Sequence, residues 1–114
     1  MAQVRWTQAA RDDVDSIAEY IAQDSPRYAR GVVEKITVLT KTLPQHPKAG
    51  RIVPEIQRED IRERFIYSYR IIYLDDPQGV LILAVIHGKR LLETEEDRIL
   101  SDADSEALPD TSRQ

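Results

Sequence analysis

A chain of 114 residues with 41% hydrophobic and 32% charged residues suits one folded domain with one core. Cysteine is absent, which excludes disulfides and thiolate chemistry, and no apolar run approaches the roughly 20 residues of a membrane span. The formal net charge is −4, but residues 1–100 carry 15 basic and 16 acidic side chains, a balance that excludes a strongly basic nucleic-acid binder. The first residues lack the apolar stretch of a signal peptide, so a cytoplasmic location is expected.

The first half of the chain has helical periodicity. Residues 4–6 predict a short strand, and Thr7 stands at the N-cap position of a helix over residues 8–23. Ser25-Pro26 then supplies a second cap and a proline at the first helical position. The second apolar stripe ends before Pro44. Two helices joined by so short a link predict an antiparallel hairpin.

The second half is rich in β-branched and aromatic residues. After a loop over residues 44–55, strands are predicted at residues 61–66, 69–74 and 80–87. The sequence Asp-Asp-Pro-Gln-Gly at 75–79 predicts the turn between the last two strands. Short links between three strands indicate an antiparallel meander. Residues 80–86 are apolar at every position, which predicts a central strand covered on both faces.

The C-terminal residues change in composition. Residues 91–100 are typical of a short acidic helix, whereas residues 101–114 are polar, acidic and poor in large apolar side chains. We therefore expect a domain over residues 1–100 and a disordered acidic tail over residues 101–114. The expected fold class is α+β, with a helix hairpin packed on a mostly antiparallel twisted sheet.

The order β-α-α-β-β-β resembles that of the RelE/ParE superfamily, the toxins of type II toxin–antitoxin systems, also called the plasmid stabilisation family. The motifs that carry the resemblance are, in chain order, Trp6, Ala9-Ala10, the segment 13–21, Ser25-Pro26 with Ala29, Gly-Arg-Ile-Val-Pro-Glu at 50–55, Ile-Arg-Glu at 61–63, Tyr-Arg-Ile-Ile-Tyr at 69–73 and Val-Ile-His-Gly-Lys-Arg at 85–90. They cover roughly residues 3–92.

The resemblance implies one of two activities. RelE-like members are metal-independent mRNA endonucleases that usually act on the ribosome, whereas ParE-like members inhibit DNA gyrase without catalysis. Members of both kinds are neutralised by a cognate antitoxin. No cofactor, metal or membrane is expected, and a degenerate, non-toxic member is a third alternative.

Three residues match the nuclease site that the resemblance implies. His87 ends the last predicted strand, where it is either an acid–base group or a structural histidine. Arg70 lies in the middle of a strand and either binds phosphate or forms a salt bridge with Glu63 or Glu55. Glu55 either works with these two residues or fixes the arginine without catalysis.

Four further cations complete the predicted site. Arg90 matches a catalytic arginine of RelE-like toxins, and Arg62, Arg64 and Lys89 are candidate RNA contacts. For any one of the four, a solvated surface charge is the commoner explanation. Two features favour the gyrase inhibitor instead: the domain is nearly neutral, and no tyrosine follows Tyr73. The sequence-based hypothesis is an mRNA endonuclease that uses His87, Arg70, Arg90 and Glu55, with the gyrase inhibitor as its alternative.

Overall fold

The computed structural model describes residues 3–77, 79–88 and 94–106. Its elements are β1 (Gln3–Trp6), α1 (Gln8–Ala22), α2 (Pro26–Thr42), one 3-10 turn (Leu43–Gln45), β2 (Arg51–Ile52), β3 (Ile61–Ile66), β4 (Tyr69–Asp76), β5 (Gly79–His87) and α3 (Glu96–Glu106). The predicted α+β class is confirmed. None of the described helices is long and apolar enough to span a membrane.

Both helices of the hairpin begin where the capping residues predict. The Thr7 hydroxyl accepts a hydrogen bond from the backbone N–H of Ala10 at 3.0 Å, and the Ser25 hydroxyl accepts one from Tyr28 at 3.1 Å. Each cap satisfies an N–H that has no partner inside its helix. Pro26 occupies the first turn of α2, where its missing N–H costs nothing.

The five strands form one sheet in the order β1-β5-β4-β3-β2. β1 runs parallel to β5, and the other neighbouring strands are antiparallel. β5 therefore lies between two neighbours, and its residues 80–86 are all buried, as the unbroken apolar run predicts. The two-residue β2, which pairs with Arg62 and Glu63, lies inside the segment predicted as a loop.

The turn before β5 is shorter than predicted. Asp75 and Asp76 continue β4 and pair with Val80 and Gly79, so that only Pro77 and residue 78 connect the strands. Asp76 is buried and forms an ion pair of 2.8 Å with Arg5 on β1. This ion pair lets an acidic residue extend the strand where its composition predicted a turn.

Each face of the sheet has its own core cluster. Under α1 and α2 the cluster contains Ala10, Val32, Ile36, Leu43, Ile71, Tyr73, Val80, Ile82 and Val85. On the opposite face it contains Val53, Ile61, Ile72, Leu74, Leu81, Leu83, Ala84, Ile86, Ile99 and Ala103. We call these the hairpin face and the α3 face.

α3 extends past residue 100, where the predicted domain ends. The helix begins at Glu96 and runs through residue 100 to Glu106, because Ile99 and Ala103 lie one turn apart and are both buried against the sheet. The tail predicted to begin at residue 101 is thus helical as far as Glu106. Residues 91–93 of the predicted helix and residues 107–114 of the predicted tail lie outside the described residues.

Candidate functional site

Arg70 is a buried cation in the middle of the sheet. It lies on the α3 face with Ile72 and Leu74, as strand alternation predicts, and its side chain is only 6% exposed. Its Nε donates to Glu63 Oε1 at 2.6 Å, while Nη1 and Nη2 each donate to one carboxylate oxygen of Glu55 at 2.8 Å. Every nitrogen of the guanidinium is therefore engaged by a carboxylate.

The pairing continues across the sheet. Glu63 is fully buried, and its second carboxylate oxygen accepts a hydrogen bond of 2.7 Å from Arg51 Nε on β2. We call Arg51, Glu63, Arg70 and Glu55 the ion-pair chain. Two positive and two negative groups alternate along it, so its net charge is zero. The sequence left open whether Arg70 pairs with Glu63 or Glu55, and in the structure it pairs with both.

The pairing shifts the pKa of Glu55 and the pKa of Arg70 in opposite directions. Hydrogen bonds from Arg70 hold the pKa of Glu55 below its ordinary value, outweighing the opposing effect of burial. The same bonds to Glu55, followed by those to Glu63, raise the pKa of Arg70. Both groups therefore stay charged around neutral pH.

A glycine fixes the segment that carries Glu55. The Gly50 N–H donates to Tyr73 Oη at 3.0 Å, and this hydroxyl donates to the Pro47 carbonyl at 2.7 Å. A Cβ added at Gly50 would lie 2.6 Å from the Glu63 carbonyl oxygen and 2.7 Å from Tyr73 Oη, so only glycine fits. The motif at 50–55 thus has a structural role in holding Glu55 over Arg70.

His87 lies on the other side of the sheet. It is directly opposite Tyr69 in the β4–β5 ladder, with ring centroids 5.5 Å apart in an edge-to-face arrangement. Tyr69 packs against the core of the hairpin face, and His87 lines a pocket with Asp13, Ser16 and Tyr20 of α1. The structure thus brings Glu55 and Arg70 together but leaves His87 across the sheet from both.

Two of the four further cations, Arg62 and Arg64, also lie outside the ion-pair chain. Arg62 is held by backbone carbonyls, with Nε donating to Glu59 at 3.1 Å and Nη1 to Gly50 at 3.0 Å. Arg62 and Arg64 alternate with the buried Ile61 and Glu63 along β3, which directs them away from the α3 face. Lys89 and Arg90 lie outside the described residues.

The sequence reasoning missed two acidic positions. The sequence-based hypothesis includes Glu63 only as a partner for Arg70, although its spacing of two from Ile61 already assigns it to the buried face. Asp13 stands among acidic residues of a kind that is typical of a solvated helix face. It is partly buried instead, and its Oδ2 accepts hydrogen bonds from the Val85 N–H at 3.0 Å and from Arg98 at 3.2 Å. Burial is the main cause that raises the pKa of Asp13.

The pKa of Glu55 makes a prediction about acid stability. Because its pKa is lowered on folding, its ionised form stabilises the fold above its ordinary value of 4.5, and this contribution is lost as the pH falls through the lowered value. The difference in urea midpoint between wild type and Glu55→Gln should therefore be largest near neutral pH and shrink below pH 4.5. The exposed Glu59→Gln is the matched control, and a pH-independent difference for Glu55→Gln would contradict the pairing.

Metal chemistry has no candidate site in the described part of the chain, since no group of three or more His, Cys, Asp or Glu side chains is arranged to hold an ion. The candidate site has two parts: the neutral, buried ion-pair chain on the α3 face, and the aromatic pocket that contains His87 on the hairpin face.

Comparisons with known proteins identify the family. The family model described as the ParE toxin of the type II toxin–antitoxin system parDE matches residues 4–92. The chain is 32% identical over 91 residues to Toxin RelE2 of Caulobacter vibrioides, a match that covers 80% of this chain and all of the relative.

Solved structures show the same fold. The chromosomal ParDE system from P. aeruginosa matches with a TM-score of 0.63 at 22% identity, covering 76% of this chain and 96% of that one. The toxin–antitoxin complex RelBE2 from Mycobacterium tuberculosis matches with a TM-score of 0.51 at 27% identity, covering 75% and 96%. The chain belongs to the ParE toxin family and is a type II toxin–antitoxin toxin of the RelE/ParE superfamily.

Proposed function

We propose that this toxin inhibits growth by binding a protein target, as a ParE-like inhibitor of DNA gyrase, and that it does not cleave RNA. A cognate antitoxin neutralises it. The observation that carries the proposal is the pairing of Arg70. Its guanidinium is buried, and every nitrogen donates a hydrogen bond to a carboxylate.

A phosphate-binding role conflicts with this arrangement. Metal-free RNA cleavage needs a cation that is free to stabilise charge developing on the phosphate. To bind a phosphate, Arg70 must give up its two-pronged contact with Glu55, while the fully buried Glu63 stays 2.6 Å away. The phosphate would then lie next to two carboxylates, and like charges at that range repel.

The position of His87 also argues against proton transfer at the same site. An acid or base must reach the reacting oxygen within hydrogen-bond distance. His87 is on the hairpin face beside Tyr69, whereas Glu55 and Arg70 are on the α3 face. A single ribose-phosphate therefore cannot contact all three groups in this arrangement.

The family match supports gyrase as the target, and charge supports a protein rather than RNA. The matched family is that of ParE, and residues 1–100 carry nearly equal numbers of acidic and basic residues. A nearly neutral surface gives little of the counterion release that drives general RNA binding. The antitoxin is proposed because both structural neighbours are toxin–antitoxin systems.

A supercoiling assay with purified gyrase tests the proposal. Wild-type toxin and His87→Ala should inhibit supercoiling to the same extent, and neither should cleave mRNA in a translating extract. His87→Ala keeps the fold because the side chain is exposed. Unchanged gyrase activity together with mRNA cleavage that His87→Ala abolishes would instead establish the nuclease.

A further inference from the structure

The aromatic pocket on the hairpin face lies beside the part of β5 that has no strand neighbour at its outer edge. β1 pairs with β5 only as far as Trp6 opposite Ile82, and no described strand continues the sheet on that side. α1 begins at Gln8 and packs against the rest of β5. The cavity left between them has a volume of about 470 Å³, in the size range of small-molecule sites.

One face of α1 supplies half of the pocket lining. Asp13, Ser16, Ile17 and Tyr20 all line the cavity, and their spacing of three and four residues places them on the same side of the helix. Ser16 is exposed, and its hydroxyl forms no hydrogen bond within the described residues. Because serine is small, space remains between Asp13 and Tyr20, and the hydroxyl is available to a ligand.

Three aromatic rings form the walls of the pocket. Tyr69 and His87 line it from the sheet with their rings edge to face, and Tyr20 lines it from α1. Tyr20 is 71% exposed, so no contact inside the chain accounts for its ring at this position. Aromatic rings attract cations over their faces and stack against flat apolar ligands. The walls are therefore suited to a ligand that is aromatic, cationic or both.

Asp13 adds an acceptor to these walls. The Val85 N–H and Arg98 both donate to Oδ2 of Asp13, at 3.0 and 3.2 Å. Oδ1 accepts no hydrogen bond within the described residues, although Asp13 lines the pocket and its side chain is 19% exposed. A carboxylate oxygen has lone pairs for further donors. Asp13 therefore offers a hydrogen-bond acceptor to a ligand beside the aromatic rings.

The charges around Asp13 decide the sign of the ligand. Arg98 pairs with Asp13 and also, at 3.0 Å, with Glu95, so one positive charge stands between two negative charges. No lysine or arginine of the described residues lines the pocket. An anionic ligand would thus meet a net negative cluster without a counter-charge, whereas a cationic ligand would be attracted.

We infer that the aromatic pocket binds a small aromatic amine in its ammonium form. The ammonium group donates to Asp13 Oδ1 and to the Ser16 hydroxyl, a charge-assisted contact that needs both the donor and the positive charge. The aromatic ring of the ligand packs between Tyr20 and Tyr69, over the apolar side chain of Ile17. The two ends of the ligand are recognised separately, so each can be tested alone.

Three ligands with the same ring test the inference. Tryptamine, 3-propylindole and indole-3-propionate share an indole ring and differ in ending their short side chain with an ammonium, a methyl and a carboxylate group. Added to the isotope-labelled full chain, tryptamine should shift backbone NMR signals of residues 13–20 and 85–87. It should bind roughly tenfold or more tightly than 3-propylindole, and indole-3-propionate should not bind. Equal affinities, shifts centred elsewhere, or no shift with tryptamine up to about 5 mM would overturn the inference.

Substitutions in the pocket separate the aromatic contact from the ionic one. Tyr20→Ala removes an exposed ring and should weaken tryptamine binding roughly threefold or more. Tyr28→Ala removes a 52% exposed ring that does not line the pocket and should leave binding unchanged.

Asp13→Asn keeps an oxygen for the Val85 N–H but removes the charge, so tryptamine should bind this variant no more tightly than 3-propylindole does. If this variant fails to fold, Tyr20→Ala still decides the question, because an exposed side chain is removed there. Undiminished tryptamine affinity in Tyr20→Ala sinks the inference. The readout is ligand binding, which is independent of whether gyrase is the target.

Discussion

Replacing Arg70 by methionine should lower the free energy of unfolding by about 3–5 kcal/mol. The substitution removes one of the two cations that contact the fully buried Glu63 and leaves its carboxylate with Arg51 alone. An incompletely compensated buried charge is among the most destabilising single changes in a protein. Urea unfolding followed by circular dichroism measures the effect directly.

A double substitution shows whether the charge, rather than packing, is responsible. In Arg70→Met/Glu63→Leu both buried charges are gone, and the remaining partners, Arg51 and Glu55, are 59% and 41% exposed and can be hydrated. We expect the double variant to recover at least half of the lost stability, because apolar residues of similar volume can replace a buried ion pair at little cost. A loss of less than about 1 kcal/mol in Arg70→Met, the value of a surface pair, would contradict the burial of the chain.

Replacing Ile99 by alanine should lower the free energy of unfolding by about 2–5 kcal/mol. Ile99 is fully buried in the α3-face core, and truncation leaves a cavity that a helix packed on one side of a sheet can close only partly. Thermal and urea unfolding give the measurement. Ser101→Ala, at an exposed position of the same helix, is the control and should change stability by no more than about 0.5 kcal/mol.

The Ile99 result decides the extent of the domain. A large loss places residues 94–106 within the cooperative unit, as the burial of Ile99 and Ala103 requires. Equal, small effects of Ile99→Ala and Ser101→Ala would mean that α3 contributes nothing to the core, and the domain boundary predicted at residue 100 would then be the better description.

Elements specified by local chemistry could be predicted from the sequence. Thr7 and Ser25 cap their helices by bonds to residues three positions away, so the helix starts follow from neighbouring residues alone. The strand at residues 61–66 follows equally from its composition and matches β3 at both ends. The apolar run of β5 likewise indicates its central place in the sheet.

Features that depend on tertiary contacts could not be predicted in this way. β2 is two residues long, too short for any periodicity, and exists because Arg51 and Ile52 pair with β3. α3 has an acidic composition typical of a solvated segment, and only the sheet beneath Ile99 and Ala103 makes it part of the fold.

Which face of the sheet each candidate residue lies on depends on one irregularity in the pairing of β4 with β5. Ile72 pairs with Ala84 and Tyr73 with Ile82, which leaves Leu83 without a partner across β4. Leu83 and Ala84 consequently both contribute to the α3-face core, and the alternation along β5 is reversed after this bulge. The side of the sheet on which His87 lies relative to Arg70 therefore depends on register and on a bulge that the sequence pattern does not reveal.

The motif at 50–55 has a structural role, which follows from its contacts with residues of β4. Gly50 admits the Tyr73 hydroxyl, and Glu55 closes the outer side of Arg70. These residues match the nuclease motif by type and order, but here their contacts are with one another. The resemblance predicts the Glu55–Arg70 contact, whereas a catalytic use also requires His87 on the same face.

Mapping mRNA 5′ ends in growth-arrested cells tests the central claim most directly. Wild type and His87→Ala are induced in a bacterial host without antitoxin, and growth and 5′ ends are followed together. A toxin that acts on a protein target arrests growth in both cultures and produces no new 5′ ends. New ends with wild type that disappear with His87→Ala would contradict the account and establish RNA cleavage.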